Sequence, residues 1–203
     1  VKIRHVPNGT RLKAEATLHA PQRKVAECGA LNPAFWPGQL PSSSAFGGTM
    51  DIELGNKLDM KGQLLITNKL FIEFPQFSAE FKKLGIKAMV WVPTAPYAII
   101  SKKPTKTLKD LAGQKIRGFG PTIPKFLTAM GATPVATASA EQYTSLQTGV
   151  IDAGLTDPPI MVSLRLYEVA KNVLTTGPGL GTALAMASIV YACSEESLAK
   201  LSE

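Results

Sequence analysis

The chain has 203 residues, of which 45% are hydrophobic and 18% are charged. This length and apolar fraction suffice for one large or two small cores and exclude an intrinsically disordered chain. The 17 Gly and 15 Pro show no period, which excludes a collagen-like fibre. The two cysteines, Cys28 and Cys193, are too few for a dense disulfide framework, and we interpret them as buried small residues rather than a redox pair.

The formal net charge of +7 favours an anionic partner, which leaves nucleic acid, a membrane surface and small acids open. Nucleic acid is not expected, because the densest basic run is diluted by Asp110 and lacks interleaved aromatic residues. Residues 183–193 form a long apolar stretch of about half the length of a membrane-spanning helix, so no such helix is predicted. The basic run consists of Lys102, Lys103, Lys106, Lys109, Lys115 and Arg117.

The first half of the chain predicts a mixed order of elements. Residues 1–7 alternate like a strand and do not resemble a signal peptide. The elements that follow are a helix over 12–25 interrupted at Pro21, a short buried strand over 30–34, a loop over 42–49, a helix over 50–58, a weak strand over 63–67, an amphipathic helix over 77–84 and a strand over 86–92.

Strands and helices alternate in the second half, which predicts an α/β fold with a largely parallel sheet covered on both faces. The predicted strands cover 97–101, 115–119, 133–137, 150–155 and 185–193. Five helices are predicted. Two cover 108–112 and 122–130, a third begins at the cap Ser139 and ends before Gly149, and a fourth runs from Pro158 to 169. The fifth follows the cap Ser194 and runs to the end of the chain.

The chain lacks the usual signatures of enzymes and cofactor sites. There is no G-x-S-x-G nucleophile elbow, and Ser197 to Lys200 matches S-x-x-K without its companion motifs, so we interpret it as solvated surface. Gly118 and Gly120 lack the third glycine of a dinucleotide fingerprint, since Ile123 occupies that position. We predict no cofactor and no metal site.

One candidate site remains, at the predicted carboxyl ends of strands. Arg117 ends a strand and is followed by glycines and a helix, a geometry that suits the binding of an anion. The same pattern is equally typical of a surface arginine near a loop. Asp157 ends the strand 150–155, where it either contacts a ligand or only caps the helix that begins at Pro158. Phe35 and Trp36 follow the strand 30–34 and are expected at the mouth of the same site.

Four spaced motifs stand out in the second half of the chain. They are Leu-Lys-Asp-Leu-Ala-Gly-Gln-Lys-Ile-Arg at 108–117, Met-Gly-Ala-Thr-Pro-Val at 130–135, Glu-Gln-Tyr-Thr-Ser-Leu-Gln-Thr-Gly-Val-Ile-Asp at 141–152 and Leu-Tyr-Glu-Val at 166–169. In this order they resemble the solute receptors of tripartite ATP-independent periplasmic (TRAP) transporters of the C4-dicarboxylate type, with looser agreement at 7–9 and 29–41.

The resemblance implies a two-lobed α/β receptor of the periplasm that closes on a small organic acid in a cleft between its lobes. Such receptors do no chemistry and deliver their solute to a membrane permease driven by a sodium gradient. Arg117 falls at the position whose arginine pairs with the substrate carboxylate. Asn32, Trp36, Tyr97, Phe119 and Asp157 are expected to line the same cleft.

The resemblance also implies where the two lobes begin and end, and this chain departs from the family pattern at several positions. Lobe I is expected to comprise 1–94 and 183–203, lobe II to comprise 95–182, and the chain is expected to be truncated at both ends. Asp157 replaces the usual ligand-binding asparagine, Tyr97 stands about where many members carry a second arginine, and Ala140 about where many carry a large aromatic residue. These departures predict a monocarboxylate site that is less cationic than a dicarboxylate site.

Two other functions stay open from the sequence. An enzyme on a related lobe would use Asp157 as general base, but neither a histidine nor a second acid is predicted beside it. A receptor that presents its ligand to a sensor domain would share every motif above.

Overall fold

The structure is a computed structural model that describes residues 14–45, 60–175 and 187–201. The described chain divides into two compact units between Pro93 and Thr94. Unit 2 contains 94–175, and unit 1 contains the other described residues. The predicted boundary near Thr182 lies outside the described residues, and the assignment of lobes I and II stays a prediction.

Strands, α-helices and short 3₁₀ turns follow one another along the described chain. The strands are β1 (Cys28–Leu31), β2 (Ile86–Pro93), β3 (Ala98–Ser101), β4 (Lys115–Gly118), β5 (Thr133–Ala136), β6 (Ala153–Thr156), β7 (Asn172–Leu174) and β8 (Ser188–Ser194). The α-helices are α1 (Pro41–Ser44), α2 (Met60–Glu73), α3 (Pro75–Lys82), α4 (Thr122–Ala129), α5 (Gln142–Thr148), α6 (Pro158–Ser163) and α7 (Glu195–Ala199). Short 3₁₀ turns cover Ala14–His19, Pro33–Phe35, Leu108–Leu111, Ser139–Glu141 and Leu166–Glu168.

Unit 1 is built on an antiparallel sheet with the strand order β1-β8-β2. One face of this sheet packs on a core in which Trp91 and Phe81 are fully buried. Phe71 contacts both rings, with centroids 5.7 Å from Trp91 and 6.2 Å from Phe81. Tilted and edge-to-face aromatic contacts of this kind add to the apolar area that the core removes from water.

Cys28 and Cys193 form a disulfide, so their interpretation as small residues that do not pair is wrong. Cys193 is buried as expected, whereas Cys28 is exposed. The two residues are register partners on the neighbouring strands β1 and β8, and their Cα atoms lie 4.0 Å apart. Their separation of 165 residues in the sequence gives no local sign of this pairing. Only the antiparallel register brings the two side chains together.

Unit 2 is built on a mixed sheet with the strand order β5-β4-β6-β3-β7. Strand β4 runs parallel to β5 and β6, whereas β3 runs antiparallel to β6 and β7. Strands β4, β5, β6 and β7 thus run in one direction and β3 runs against them. The predicted parallel pairing is confined to β5-β4-β6, because alternation along the sequence does not fix strand direction. The carboxyl ends of β4, β5 and β6 meet at one edge of the sheet, which we call the carboxyl edge.

Several predicted elements differ from the structure. Residues 63–67 lie in α2 and not in a strand, and the predicted loop at 42–49 contains part of α1. The helix predicted from Pro158 to 169 ends at Ser163, because Arg165 adopts a left-handed conformation with φ of 53°. The strand predicted over 1–7 and the helix predicted over 50–58 lie outside the described residues.

Candidate functional site

Arg117 lies on β4 near the carboxyl edge, and only 6% of the residue is exposed. Its Nε donates a hydrogen bond to the Thr137 carbonyl and its Nη1 donates one to the Leu155 carbonyl, both at 3.0 Å. Thr137 directly follows β5, and Leu155 lies on β6. Main-chain groups of the two strands that flank β4 therefore fix the plane of the guanidinium.

The Phe119 ring packs on this guanidinium, and the Tyr97 ring packs on Phe119. The Arg117 Cζ atom lies 4.8 Å from the centroid of the Phe119 ring, within the range of a cation–π contact. The Tyr97 ring meets Phe119 edge to face at a centroid distance of 5.6 Å. Burial and the Asp157 carboxylate raise the pKa of Tyr97 to about 12, although Arg117 and the Thr94 side chain oppose them. The phenol therefore keeps its proton at neutral pH and can donate it in a hydrogen bond.

Asp157 follows β6 and is 8% exposed. Its Oδ1 accepts a hydrogen bond of 2.9 Å from the Ile160 amide, so the side chain caps α6. Burial raises the pKa of the carboxyl, while the Ile160 amide and the Arg117 charge act in the opposite direction. The cap is therefore observed, and a contact between Asp157 and a ligand stays a prediction.

Thr137 is a residue of this cluster that the sequence analysis missed. Its carbonyl holds Arg117, and its Oγ1 is buried without a hydrogen-bond partner. A buried hydroxyl without a partner is costly, so it suits a site that a polar ligand completes. The rule that selected Arg117 and Asp157, a polar residue where a parallel strand ends, applies equally to Thr137 after β5.

Asn32 and Trp36 belong to unit 1, whereas Arg117, Tyr97, Phe119 and Asp157 belong to unit 2. The Asn32 Oδ1 accepts a hydrogen bond of 2.9 Å from the Ala34 amide and so caps the turn that begins at Pro33. Trp36 packs in the core of unit 1 with Leu40. The two residues therefore have local structural roles, and their place in a ligand site stays a prediction.

The described ranges contain neither a cluster of metal ligands nor a membrane-spanning helix. Within 14–45, 60–175 and 187–201, no group of three or more His, Cys, Asp or Glu side chains is placed to hold a metal ion. None of the helices in those ranges combines the length and the hydropathy needed to cross a bilayer. The described cluster offers a fixed guanidinium, a phenol and a hydroxyl as hydrogen-bond donors. It also contains the Asp157 carboxylate, which is an acceptor. These groups form a candidate anion-binding site on an α/β sheet.

Comparison with known proteins identifies the family. The model of the DctP family, described as bacterial extracellular solute-binding protein, family 7, matches residues 66–203. The chain therefore belongs to this family. The resemblance to TRAP solute receptors and the prediction of an α/β fold are confirmed.

Individual relatives agree with this assignment. A solute-binding protein of Albidiferax ferrireducens is 39% identical over 93 residues, which cover 46% of this chain and 27% of that protein. The ectoine-binding periplasmic protein TeaA of Halomonas elongata is 29% identical over 161 residues, covering 77% of this chain and 45% of TeaA. The chain thus spans less than half the length of either relative.

Solved structures show the same fold. A TRAP periplasmic solute-binding protein of Xanthobacter autotrophicus, solved with bound β-D-galacturonate, matches with a TM-score of 0.78 at 18% identity. The match covers 98% of this chain and 63% of that structure. The described sheets and helices thus share the fold of the matched part of that structure.

Proposed function

We propose that this chain is part of a periplasmic receptor that binds a small carboxylate-bearing organic acid and delivers it to a TRAP membrane permease. The observation that carries the proposal is Arg117, whose buried guanidinium is held by two carbonyls at the carboxyl edge of the unit 2 sheet. Ligands of open α/β sheets bind beyond this edge.

The environment of Arg117 favours a carboxylate as the group that is bound. A guanidinium has five N–H donors in a fixed fork, and a carboxylate accepts two of them in parallel, charge-assisted hydrogen bonds. Because the main-chain carbonyls already fix the side chain, less conformational entropy is lost when the anion binds. Burial also strengthens the attraction between the two charges.

Asp157 and Thr137 narrow the class of acid. A second carboxylate close to Asp157 would meet a like charge, which disfavours a plain dicarboxylate. A hydroxyl or an amine would meet an acceptor there, and the buried Thr137 Oγ1 adds a second polar contact. We therefore propose a monocarboxylate that also carries a hydroxyl or a cationic group. The names of two relatives, one ectoine-binding and one with bound galacturonate, agree with such a class.

The proposed compartment and the proposed absence of catalysis each have support. The Cys28–Cys193 disulfide suits an oxidising compartment such as the periplasm.

An enzyme with Asp157 as general base would need a second group that exchanges a proton. Among the residues that the structure describes, the titratable groups coupled to Asp157 are Arg117 and Tyr97, and neither releases its proton at neutral pH.

Calorimetric titration of D-galacturonate, D-glucuronate and ectoine tests the proposal. Arg117→Ala should abolish detectable binding, and Arg117→Lys should weaken it at least tenfold, since a lysine keeps the charge but not the fork. Arg165→Ala is the matched control, because Arg165 lies in the same unit with 72% of its side chain exposed. Wild-type affinity in a folded Arg117→Ala protein would remove the anchor role, as would equal losses in Arg117→Ala and Arg165→Ala.

A further inference from the structure

The unit 2 sheet has a second edge, opposite the carboxyl edge, where β4, β5 and β6 begin. Because β3 runs antiparallel to β6, it ends there, and β7 begins there. Lys102 and Lys103 directly follow β3, and Lys171 directly precedes β7. The Asn172 Nδ2 donates hydrogen bonds to the carbonyls of Ser101 and Lys102, at 3.2 and 3.1 Å, which joins the two ends.

Three more lysines lie between the end of β3 and the beginning of β4. Lys106 and Lys109 lie in the loop and the 3₁₀ turn that connect these strands, and Lys115 is the first residue of β4. All of the lysines at this edge are exposed except Lys115, which is half-buried. We call the set the basic edge, and it consists of Lys102, Lys103, Lys106, Lys109, Lys115 and Lys171.

The acidic residues at this edge are engaged with backbone amides. The Asp110 Oδ2 accepts hydrogen bonds from the amides of Lys106 and Thr107, which lowers the pKa of that carboxyl. The Asp152 Oδ2 accepts one from the Lys115 amide. Within the described ranges, the ion pairs closer than 4.0 Å involve none of the six lysines of the basic edge. Six lysines therefore stand against two carboxylates at this edge, of which Asp110 offsets part of the Lys106 charge, and the edge keeps a net positive charge.

We propose that the basic edge binds the surface of a bilayer that contains anionic phospholipid. Its charges are all lysines, which are flexible point charges that attract anions without requiring a fixed geometry. Interfaces between proteins are instead depleted of lysine and enriched in arginine and aromatic residues, and residues 102–115 contain no aromatic residue. A dispersed anionic surface fits this composition better than a shaped protein partner.

The location of the basic edge is compatible with solute binding. It lies at the opposite edge of the sheet from Arg117, so binding of a bilayer would leave the anion site of unit 2 uncovered. The benefit of the contact rests on the proposed function, because a receptor that delivers solute to a permease must work at the membrane. The binding itself requires no solute.

Co-sedimentation with vesicles tests this inference. We expect the chain to bind vesicles of phosphatidylglycerol and phosphatidylcholine at low ionic strength, and not vesicles of phosphatidylcholine alone. Binding should disappear at roughly 1 M salt, where the Debye length is about 3 Å. Lys102→Gln/Lys103→Gln should reduce the partition coefficient on the order of tenfold or more, at about fivefold per lysine.

The matched control is Lys82→Gln/Lys83→Gln, which removes the same charge from two exposed lysines at the end of α3 in unit 1. This variant should keep most of the binding. Equal losses in the two variants would show a general charge effect and overturn the inference, as would no binding to the anionic vesicles. Binding to soluble polyglutamate but not to vesicles would indicate an acidic protein instead. Because no solute is present, these results are independent of the Arg117 titrations.

Discussion

At the scale of single residues, Asp157 has an observed structural role at the end of a strand, beside Arg117, where we propose that a ligand binds. Asp157 caps α6 with Oδ1, yet burial raises its pKa in spite of the nearby Arg117 charge. An ionised carboxylate at this position is therefore incompletely compensated by the protein. A ligand that brings a hydrogen-bond donor or a positive charge would supply what is missing.

We expect Asp157→Asn to shift binding towards plain carboxylates such as succinate, because the substitution removes a negative charge beside Arg117. The cap should survive, since asparagine accepts the same amide hydrogen bond, and the unfolding free energy should change by at most about 1 kcal/mol. Calorimetry with one panel of acids on both proteins measures the shift. An unchanged rank order of affinities would reject the selectivity role and leave only the cap.

The pH dependence of stability gives an independent readout of the same substitution. The pKa of Asp157 is raised in the folded protein, so folding favours the protonated carboxyl. This stability is fully present below the ordinary pKa of 3.8 and is lost as the pH rises through the raised value. In urea unfolding of the ligand-free proteins, the unfolding free energy of the wild type relative to that of Asp157→Asn should fall as the pH rises through this range. The comparison cancels Asp110 and Glu196, whose lowered pKa values change stability in the opposite direction.

The sequence could locate part of this site and not the rest. Arg117 and Asp157 are predictable because both are charged and both stand where a predicted strand ends. The Leu155 carbonyl accepts a hydrogen bond from Arg117. Because every residue has a main-chain carbonyl, the sequence does not single this one out. The cysteine pair was out of reach for a related reason, since its partners meet only through the register of distant strands.

At the scale of elements, segments with a clear apolar period were predictable, whereas segments whose structure depends on tertiary contacts were not. Strand β2 and helix α3 lie within a few residues of their predictions, because their apolar periods are clear. Gly149 ends α5 with φ of 77°, as its predicted position after the helix requires. In α2, by contrast, Asn68 hydrogen-bonds both the amide and the carbonyl of Trp91 on β2. This contact helps to hold the helix against the sheet, and no local pattern in 63–67 predicts it.

Gly154 on β6 provides a test of packing between a strand and a helix. A Cβ atom at this position would lie 2.9 Å from the Gln142 Oε1 on α5 and 3.5 Å from the Ile100 side chain. Gln142 is fully buried, and its Nε2 donates a hydrogen bond of 3.1 Å to the Ser139 carbonyl. The side chain therefore cannot easily move away from an added methyl group. We expect Gly154→Ala to lower the unfolding free energy by about 1–3 kcal/mol, measured by urea denaturation.

Gly29 on β1 is the matched control, because an added Cβ there would meet no atom within 4 Å. Gly29→Ala should change the unfolding free energy by less than about 0.5 kcal/mol. Similar effects of the two substitutions would show that the cost is a property of glycine in strands and that the contact with Gln142 plays no part.

At the scale of the whole molecule, the disulfide encloses most of the chain. It joins β1 to β8 across 165 residues, and all described residues of unit 2 lie inside this loop. Unit 1 takes its strands from both sides of unit 2 in the sequence. Without the disulfide, the register of β1 on β8 must be found after closure of a long loop, and this closure carries a large entropic cost.

We therefore expect Cys28→Ala/Cys193→Ala to lower the unfolding free energy by about 2–5 kcal/mol, because the unfolded chain regains the freedom of an open loop. Guanidinium denaturation with and without a thiol reductant measures this loss. Reductant should lower the midpoint of the wild type and leave that of the double variant unchanged. If the oxidised wild type and the double variant unfold at the same midpoint, the antiparallel pairing of β1 with β8 holds unit 1 together without the covalent link.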